Sequence, residues 1–330
     1  MTGFNTTAIH AGQEPDAQTG AVTVPVHLAT TYAQQGVNQH KGFEYSRTGN
    51  PTRQALETSI AALEEGAHGF AFGSGMAAED AILRLLRPGD NVLLGNDAYG
   101  GTFRLLDKIY GNVGVTWTAV DLTKPDLVAS NWTDTTRMIW LETPTNPNLT
   151  VFDIEAISAA AHLHGGICVV DNTFATPYLQ QPIALGADIV VHSATKYLGG
   201  HSDVVGGLAV TDDDELATHL GFTQNATGAV ISPFDCYLLL RGLKISVSAW
   251  TDTVTTLRRS SQCWPSTPPS NGCSIPDWPA ISGTRSLPSR CATSAAWSRS
   301  CPEAEWRPPT ASSPPPSSSR SPSRSERSSH

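Results

Sequence analysis

No stretch of the 330 residues approaches the ~20 consecutive apolar positions that a membrane span needs. The start, Met1-Thr2-Gly3-Phe4-Asn5, lacks the basic-then-apolar pattern of a secretory signal, so a cytoplasmic chain with no membrane partner is expected. Positive charge is also in deficit: 21 Lys and Arg stand against 30 Asp and Glu, for a formal net charge of -9. Binders of nucleic acid or anionic membranes carry a basic footprint. Those partners are therefore excluded, and small-molecule substrates are expected. There is no CxxC pair to hold zinc or run redox chemistry. Only Cys168 and Cys236 lie in the part that looks foldable, and Cys168, within Ile167-Cys168-Val169-Val170, reads as a buried small hydrophobe.

A second absence divides the chain. Residues 245–330 contain no Lys, Phe, Tyr or Met, yet hold four of the six cysteines and five of the eight tryptophans among Ser, Pro and Arg. They show no sustained helical or strand period, and Trp and Cys fit a natural linker badly. Residues 1–244 carry 12 basic and 25 acidic side chains, against 9 Arg and 5 acids in residues 245–330. Our hypothesis is a shifted reading frame from near residue 245, leaving an aberrant, disordered Ser/Pro/Arg-rich segment that is not a native domain. A genuine Ser/Pro-rich tail is the alternative. Resequencing the encoding DNA decides between them: the hypothesis fails if no single-base change restores a periodic, Lys- and Tyr-containing continuation.

The length allows one large domain plus a smaller one, or two of ordinary size. Residues 1–50, rich in Gly, Thr, Gln and Asn, read as an arm and loops. Asn50 before Pro51 starts a helix, because Asn caps the first turn and Pro fits the first helical position. Leu56, Ile60 and Leu63 form its apolar stripe, to about Glu65. Residues 69–72 read as a strand, and Gly73-Ser74-Gly75-Met76 as a turn into a helix ending near Leu86. Strands at 92–94, 115–120, 138–142, 167–171, 189–191 and 207–210 follow, with helices at 102–110 and 154–164. This alternation predicts an α/β domain over residues 51–244, a mainly parallel sheet covered by helices on both faces. Ligands of such sheets sit at strand carboxyl ends. Gly73-Ser74-Gly75, Glu142 with Asn146, Asp171, and Ser193 to Lys196 all fall there.

A buried strand delivers Lys196 into the company of Ser193 and Thr195. That is a poor place for a solvated cation and a good one for an amine that loses its proton and attacks a carbonyl. A surface lysine after a strand is the plainer alternative. If Lys196 forms an imine with an aldehyde cofactor, pyridoxal 5'-phosphate makes three further demands: a carboxylate for its ring nitrogen, a cradle for its phosphate and a surface for its ring. Asp171, ending an apolar strand, can supply the first. Gly75 and Met76 open a helix and offer N–H groups to a phosphate dianion, with hydroxyls from Ser193 and Thr195. Tyr99 offers a ring for stacking. Taken singly, Asp171 reads as a strand-end cap and Tyr99 as a core aromatic.

Five segments, Tyr45-Ser46-Arg47-Thr48-Gly49-Asn50-Pro51-Thr52, Gly73-Ser74-Gly75-Met76-Ala77-Ala78, Glu142-Thr143-Pro144-Thr145-Asn146-Pro147, Val170-Asp171-Asn172-Thr173-Phe174 and Ser193-Ala194-Thr195-Lys196-Tyr197, together resemble the cysteine/methionine-metabolism family of pyridoxal-phosphate-dependent enzymes. The likeness covers about residues 5–244 and looks nearest to its cystathionine γ-synthase and γ-lyase members. It implies the aspartate-aminotransferase-like fold (fold type I) and a homotetramer. It also implies Lys196 and Tyr99 as catalytic residues, with Lys196 the imine lysine and Tyr99 stacked on the ring. Asp171 would pair with the ring nitrogen and Asn146 donate to the phenolic oxygen. Gly75, Met76, Ser193 and Thr195 would hold the phosphate, with Tyr45 and Arg47 reaching in from a neighbouring subunit.

The implied reaction is γ-replacement, cysteine plus an O-acylated homoserine giving cystathionine, with γ-lyase activity second and an inactive cofactor-binding protein as the non-enzymatic alternative. In the family a C-terminal domain clamps the substrate's α-carboxylate with an arginine and sets a serine beside the lysine. Residues 245–330 show no match, and Arg285, Arg290 and Arg299 stand in no family-like context, so impaired turnover is expected. A competing motif is G-x-G-x-x-A over residues 73–78 with Asp97 at ribose-binding distance, the pattern of a nicotinamide oxidoreductase. It leaves Lys196 and Asp171 unexplained. No metal is expected: His162 and His164, at i, i+2, point to different helix faces, and His201 beside a glycine turn reads as structural.

Overall fold

Strand polarity and register decide where the chemistry can gather. The computed structural model describes residues 3–262. In chain order the strands are β1 (His68–Phe72), β2 (Asn91–Gly95), β3 (Thr116–Val120), β4 (Thr136–Glu142), β5 (Ile167–Asp171), β6 (Ile189–Ser193) and β7 (Gly207–Thr211). They form one sheet in the order β1-β7-β6-β5-β4-β2-β3. Neighbours from β3 through β6 are parallel, whereas β7 runs antiparallel to both β1 and β6. The expected mainly parallel sheet is present, and its boundaries match the apolar runs to within two residues; β5 spans the expected residues.

The helices are α1 (Phe4–His10), α2 (Pro51–Leu63), α3 (Gly75–Leu83), α4 (Gly100–Arg104), α5 (Asp126–Asn131), α6 (Ile154–His162), α7 (Thr176–Leu179), α8 (Asp214–Thr227) and α9 (Pro233–Gln262). They cover both faces of the sheet, and strand alternation splits its apolar residues between two cores. Ile139, Leu141, Cys168, Val170 and Val190 face one core with Leu56, Ile60 and Leu63 of α2. Met138, Trp140, Val169, Ile189 and Val191 face the other with Ile82 and Leu83 of α3. Each such side chain removed from water contributes roughly 1.5–3 kcal/mol. Free Cys168 and Cys236 are both buried, and burial pushes the Cys168 thiol up to about 12.

Asn50 caps α2, its Oδ1 accepting from the N–H groups of Thr52 (2.9 Å) and Arg53 (3.2 Å), with Pro51 in the first turn. Elsewhere the helices depart from the sequence reading. The arm contains α1, whose Phe4 packs edge-on against Tyr178 at 5.5 Å. The 102–110 helix starts earlier, as α4, and opens into a π-helical turn at Leu105–Tyr110. The wider turn accompanies a hydroxyl contact, Tyr110 Oη donating to the carbonyl or carboxylate of Asp80, each 2.9 Å away. α3 stops at Leu83 because Leu85 and Leu86 close with i−3 hydrogen bonds. The helical period judged missing from residue 245 continues in α9, where Leu239, Leu240, Leu243, Ser246 and Trp250 are buried. Arg285, Arg290, Arg299 and most of the 245–330 segment lie outside the described residues.

Candidate functional site

Because β4, β5 and β6 are parallel, their carboxyl ends open on one edge. Glu142 pairs in register with Asp171, and Asp171 with Val191, two residues before Ser193. The antiparallel β7 starts at the same edge, Gly207 pairing with Ser193 on one side and Phe72 on the other. The β1–α3 turn lies over this point. A Cβ on Gly207 would sit 2.1 Å from the Ser74 carbonyl oxygen, and one on Gly75 would sit 3.0 Å from Ser193 Cβ. Glycine at both positions lets the first turn of α3 press onto Ser193. Ser74 caps that helix, accepting from Ala77 N–H at 3.1 Å. Gly75 is buried and Met76 half-buried.

Ser193 N–H donates to the Thr173 hydroxyl at 2.8 Å, which ties the end of β6 to the loop after β5. The Thr195 hydroxyl accepts from Gly206 N–H at 3.2 Å. Lys196 follows on an exposed turn rather than in the desolvated setting expected of it. The apolar run before it is buried, but the turn carries the side chain outward, and it has no hydrogen-bond or ion-pair partner among the described residues. Its neighbour Tyr197 packs against Trp250 of α9 with ring centroids 5.0 Å apart.

Asp171 is buried, and its Oδ1 accepts from Thr173 N–H at 2.9 Å. Burial raises its proton affinity; the Thr173 hydroxyl and amide and the charge on His192 oppose that rise. Two further buried carboxyls stand near it. Glu142 is pushed up to about 9, chiefly by burial and then by the Asp171 charge. Glu79 of α3 is pushed up to about 8 by the same two causes. One oxygen of each, Oε2, has no partner, as suits buried carboxyls that keep their protons. The sequence reading placed Glu142 at a strand end without giving it a role and passed over Glu79, a lone acid in an alanine-rich turn that carries no pattern signal.

The Glu142 carboxylate also receives the backbone N–H of Tyr99. The Tyr99 ring is 44% exposed and shares with Met76, Gly101, Arg104 and Lys108 a cavity of about 290 Å³. Asn146 is half-buried in the loop after β4. That loop is pinned by Asp97, which accepts from Thr145 Oγ1 (2.5 Å), Asn148 Nδ2 (2.7 Å) and Thr150 Oγ1 (3.3 Å). Asp97 is thus engaged where a ribose would need it. β1, the strand before the glycine turn, is also a sheet edge rather than the centre of a dinucleotide fold. Both facts count against the nicotinamide motif.

No hydrogen bond or ion pair among the described residues joins Tyr45 or Arg47 to this group. Arg47 sits 5.2 Å above the Tyr45 ring, and its Nη1 donates to the Asn225 carbonyl (2.6 Å) and side-chain oxygen (3.1 Å) of α8. Of the histidines weighed for a metal, His162 bonds Asp188 at 2.9 Å, His164 stacks on Trp132 and His201 approaches the Gly199 carbonyl at 2.8 Å. No cluster of three or more His, Cys, Asp or Glu able to hold a metal occurs among the described residues.

The chain is similar to proteins of known sequence and structure. A probable cystathionine γ-synthase of Herpetosiphon aurantiacus is 54% identical over 242 residues, covering 73% of this chain and 76% of that protein. A cystathionine β-lyase of Lactococcus lactis subsp. cremoris (strain MG1363) is 55% identical over 244 residues, 74% of this chain; the match spans only 64% of that enzyme. The solved cystathionine γ-lyase from Lactobacillus plantarum, complexed with L-serine, superposes with a TM-score of 0.77 at 46% identity, over 80% of this chain and 70% of that one. The model of the Cys/Met metabolism PLP-dependent enzymes matches residues 5–247, which hold every strand of the sheet and every site residue named above. The chain therefore belongs to the family of pyridoxal-phosphate-dependent enzymes of cysteine and methionine metabolism.

Proposed function

We propose that this chain is the cofactor-binding part of a transsulfuration enzyme that joins cysteine to an O-acylated homoserine, the cystathionine γ-synthase reaction. What carries the reading is the convergence of the α3 N-terminus, Asp171 and the Ser193–Lys196 turn on one sheet edge, in a chain 54% identical to a probable cystathionine γ-synthase. Pyridoxal phosphate fits these residues. Glycine at position 75 keeps the first turn of α3 open beside Ser193, whose hydroxyl has no partner among the described residues. A buried carboxylate ends β5, and Glu79 and Glu142 each hold an unpartnered oxygen near it.

In this reading Gly75 and Met76 N–H groups, with Ser193 and Thr195, bind the phosphate. Asp171 holds the proton on the ring nitrogen, Asn146 donates to the phenolic oxygen and Tyr99 covers the ring. A second copy supplies Tyr45 and Arg47 within a homotetramer, and Arg47 exchanges its bonds to Asn225 for bidentate phosphate contacts. When bound, the cofactor supplies the electron sink that lets the substrate's α-carbon lose a proton. Lys196 would anchor the cofactor, and its Nζ would move a proton between the substrate's α- and β-carbons. The cysteine sulfur forms a bond to Cγ, the Cγ–O bond breaks, the acyl group leaves as a carboxylate and the thiol proton is released. In this reading the enzyme serves methionine biosynthesis in the cytoplasm.

A carbon–sulfur lyase acting on cystathionine is the second reading, favoured by the 55% identity to the lactococcal β-lyase. Borohydride reduction of the protein with pyridoxal phosphate, followed by peptide mapping, tests the site; the label is expected on Lys196, and a label on another lysine refutes it. Cystathionine formed from cysteine and O-succinylhomoserine, compared with the 2-oxo acid and ammonia released from cystathionine (2-oxobutyrate for γ-cleavage, pyruvate for β-cleavage), separates synthase from lyase. Dominant release reverses the ranking.

A further inference from the structure

Arg53 stands in the first turn of α2 and is buried. Both facts oppose a cation there: burial strips its hydration, and the N-terminal end of a helix dipole is positive. What the guanidinium gains is specific. Its Nη1 donates to the Ser46 carbonyl at 2.8 Å and its Nη2 to the Arg47 carbonyl at 3.1 Å, so one planar fork grips two consecutive carbonyls of the arm. Its Nε lies 3.4 Å from Glu57 Oε1, one helical turn on. That oxygen is itself held, accepting from Ala71 N–H of β1 at 3.0 Å and from Gln224 Nε2 of α8 at 3.2 Å. Gln224 Nε2 also donates to the Ala71 carbonyl at 2.9 Å. The backbone at residues 46–47 is thereby tied to the sheet and to α8.

The Arg47 side chain is held differently. It is exposed, as is Tyr45, and it bonds Asn225, the residue of α8 after Gln224. A buried fork on the backbone and an exposed contact on the side chain let the side chain leave while the peptide stays. An apolar pair in place of Arg53 and Glu57 would fill the space without the desolvation penalty, but it could hold neither carbonyl. We infer that Arg53 is a positioning residue: it fixes the Ser46–Arg47 backbone so that Tyr45 and Arg47 are presented, already ordered, to the phosphate bound by a second copy of this chain. The inference rests on the reading that a neighbour's site takes these two residues. Ordering them beforehand spares association part of its entropic cost.

The test fixes pyridoxal phosphate to the full chain with borohydride and measures the label on Lys196 against cofactor concentration. Arg53→Lys keeps a cation beside Glu57, but its single ammonium cannot reproduce the fork. It should need on the order of tenfold more cofactor for the same label, as loss of one charge-assisted hydrogen bond predicts. Asn225→Ala, which frees the Arg47 side chain and leaves the fork intact, should need no more cofactor than the wild type. The deciding sample mixes Arg53→Lys with Lys196→Ala, a chain with an intact arm and no anchor. Label on Lys196 should rise on mixing, because the intact arm completes the other chain's site, whereas a defect confined to the fold of the Arg53→Lys chain stays uncured. No rise on mixing, or a loss in Asn225→Ala equal to that in Arg53→Lys, overturns the inference. Should Arg53→Lys fail to fold, Glu57→Gln, which keeps an acceptor for Ala71 N–H and removes the charge beside Arg53, takes its place in the same mixture. If the wild type takes no label, the cofactor reading has failed, and hydrogen exchange of the cofactor-free chain judges Arg53. The Ser46, Thr48 and Gly49 amides, bonded at 2.9–3.0 Å, should then exchange faster in Arg53→Lys, and unchanged rates refute its hold on the arm.

Discussion

Gly207 should be the least replaceable glycine of the site, although it contributes no side chain to it. An added Cβ would lie 2.1 Å from Ser74 O, 2.5 Å from Ser74 C and 2.8 Å from Gly75 N, all backbone atoms that no rotamer change can move. Ordinary contact begins near 3.4 Å, so the β1–α3 turn must retreat by about 1.3 Å. Overpacking of this kind costs about 1–3 kcal/mol, and each kcal/mol lowers the thermal midpoint of a chain this size by roughly 2–4 °C. The displaced turn carries the Gly75 and Met76 N–H groups. Losing even one of their phosphate hydrogen bonds, worth about 1.5 kcal/mol when the acceptor is charged, weakens cofactor binding about tenfold.

Gly73→Ala is the matched control, because its Cβ would meet only Val230 O at an ordinary 3.8 Å. Gly75→Ala should fall between, its Cβ meeting Ser193 at 3.0–3.3 Å. Thermal melting of the cofactor-free chain and absorbance titration with pyridoxal phosphate measure the two consequences separately. The order of damage should be Gly207→Ala, then Gly75→Ala, then Gly73→Ala in both. A harmless Gly207→Ala, or equal effects at all three positions, would show that close approach of the α3 turn to β6 and β7 does not build the site.

Asn50→Ala removes the cap of α2 and the Nδ2 bonds to the His27 carbonyl (2.8 Å) and Ser46 Oγ (3.2 Å). It should cost about 1–2 kcal/mol and speed proteolysis of the arm bearing Tyr45 and Arg47; an unchanged cleavage rate contradicts this. Asp97→Ala frees three donors of the loop carrying Asn146, so cofactor affinity should fall while the core remains folded by circular dichroism. Glu79 and Glu142 are raised from 4.5 to about 8 and about 9. The folded chain therefore binds more protons than the unfolded one, and the stability they contribute is full below about 4.5 and lost as pH rises toward those values. Thermal midpoints of the cofactor-free chain should fall from mildly acid to mildly alkaline pH, and Glu79→Gln should flatten that slope.

The parts legible in the sequence are those where local pattern and tertiary demand agree. Asn50-Pro51 announced α2, and the Val- and Ile-rich runs announced β5 and β6, because strands buried on both faces need apolar residues at every position. The five motif segments announced the strand-end residues. The exposure of Lys196 was not legible, since a turn's direction depends on what packs over it rather than on the strand before it. The π-helical turn at Leu105–Tyr110 answers to Asp80, 25 or more residues earlier, and leaves no mark in its own spacing. The engagement of Asp97 by Thr145, Asn148 and Thr150 likewise depends on a loop some 50 residues away.

Glu142 and Asp171 show most sharply why a motif alone cannot assign roles. Each is the acid that ends an apolar strand, and the two are register partners on adjacent strands. Their sequence signals are alike, yet the groups around them differ. Burial raises the proton affinity of Asp171, and the Thr173 hydroxyl and amide, with His192 behind the sheet, oppose that rise. Glu142 has the Tyr99 amide against the charges of Asp171, Glu79 and Asp97, and one of its oxygens is left unpaired. Two like charges so close cannot both persist in a dry site, and burial raises the proton affinity of both. The sheet thus presents two buried carboxyls side by side at one edge, and Asp171 is the one whose charged form receives both a hydroxyl and an amide, as a partner for a protonated ring nitrogen requires.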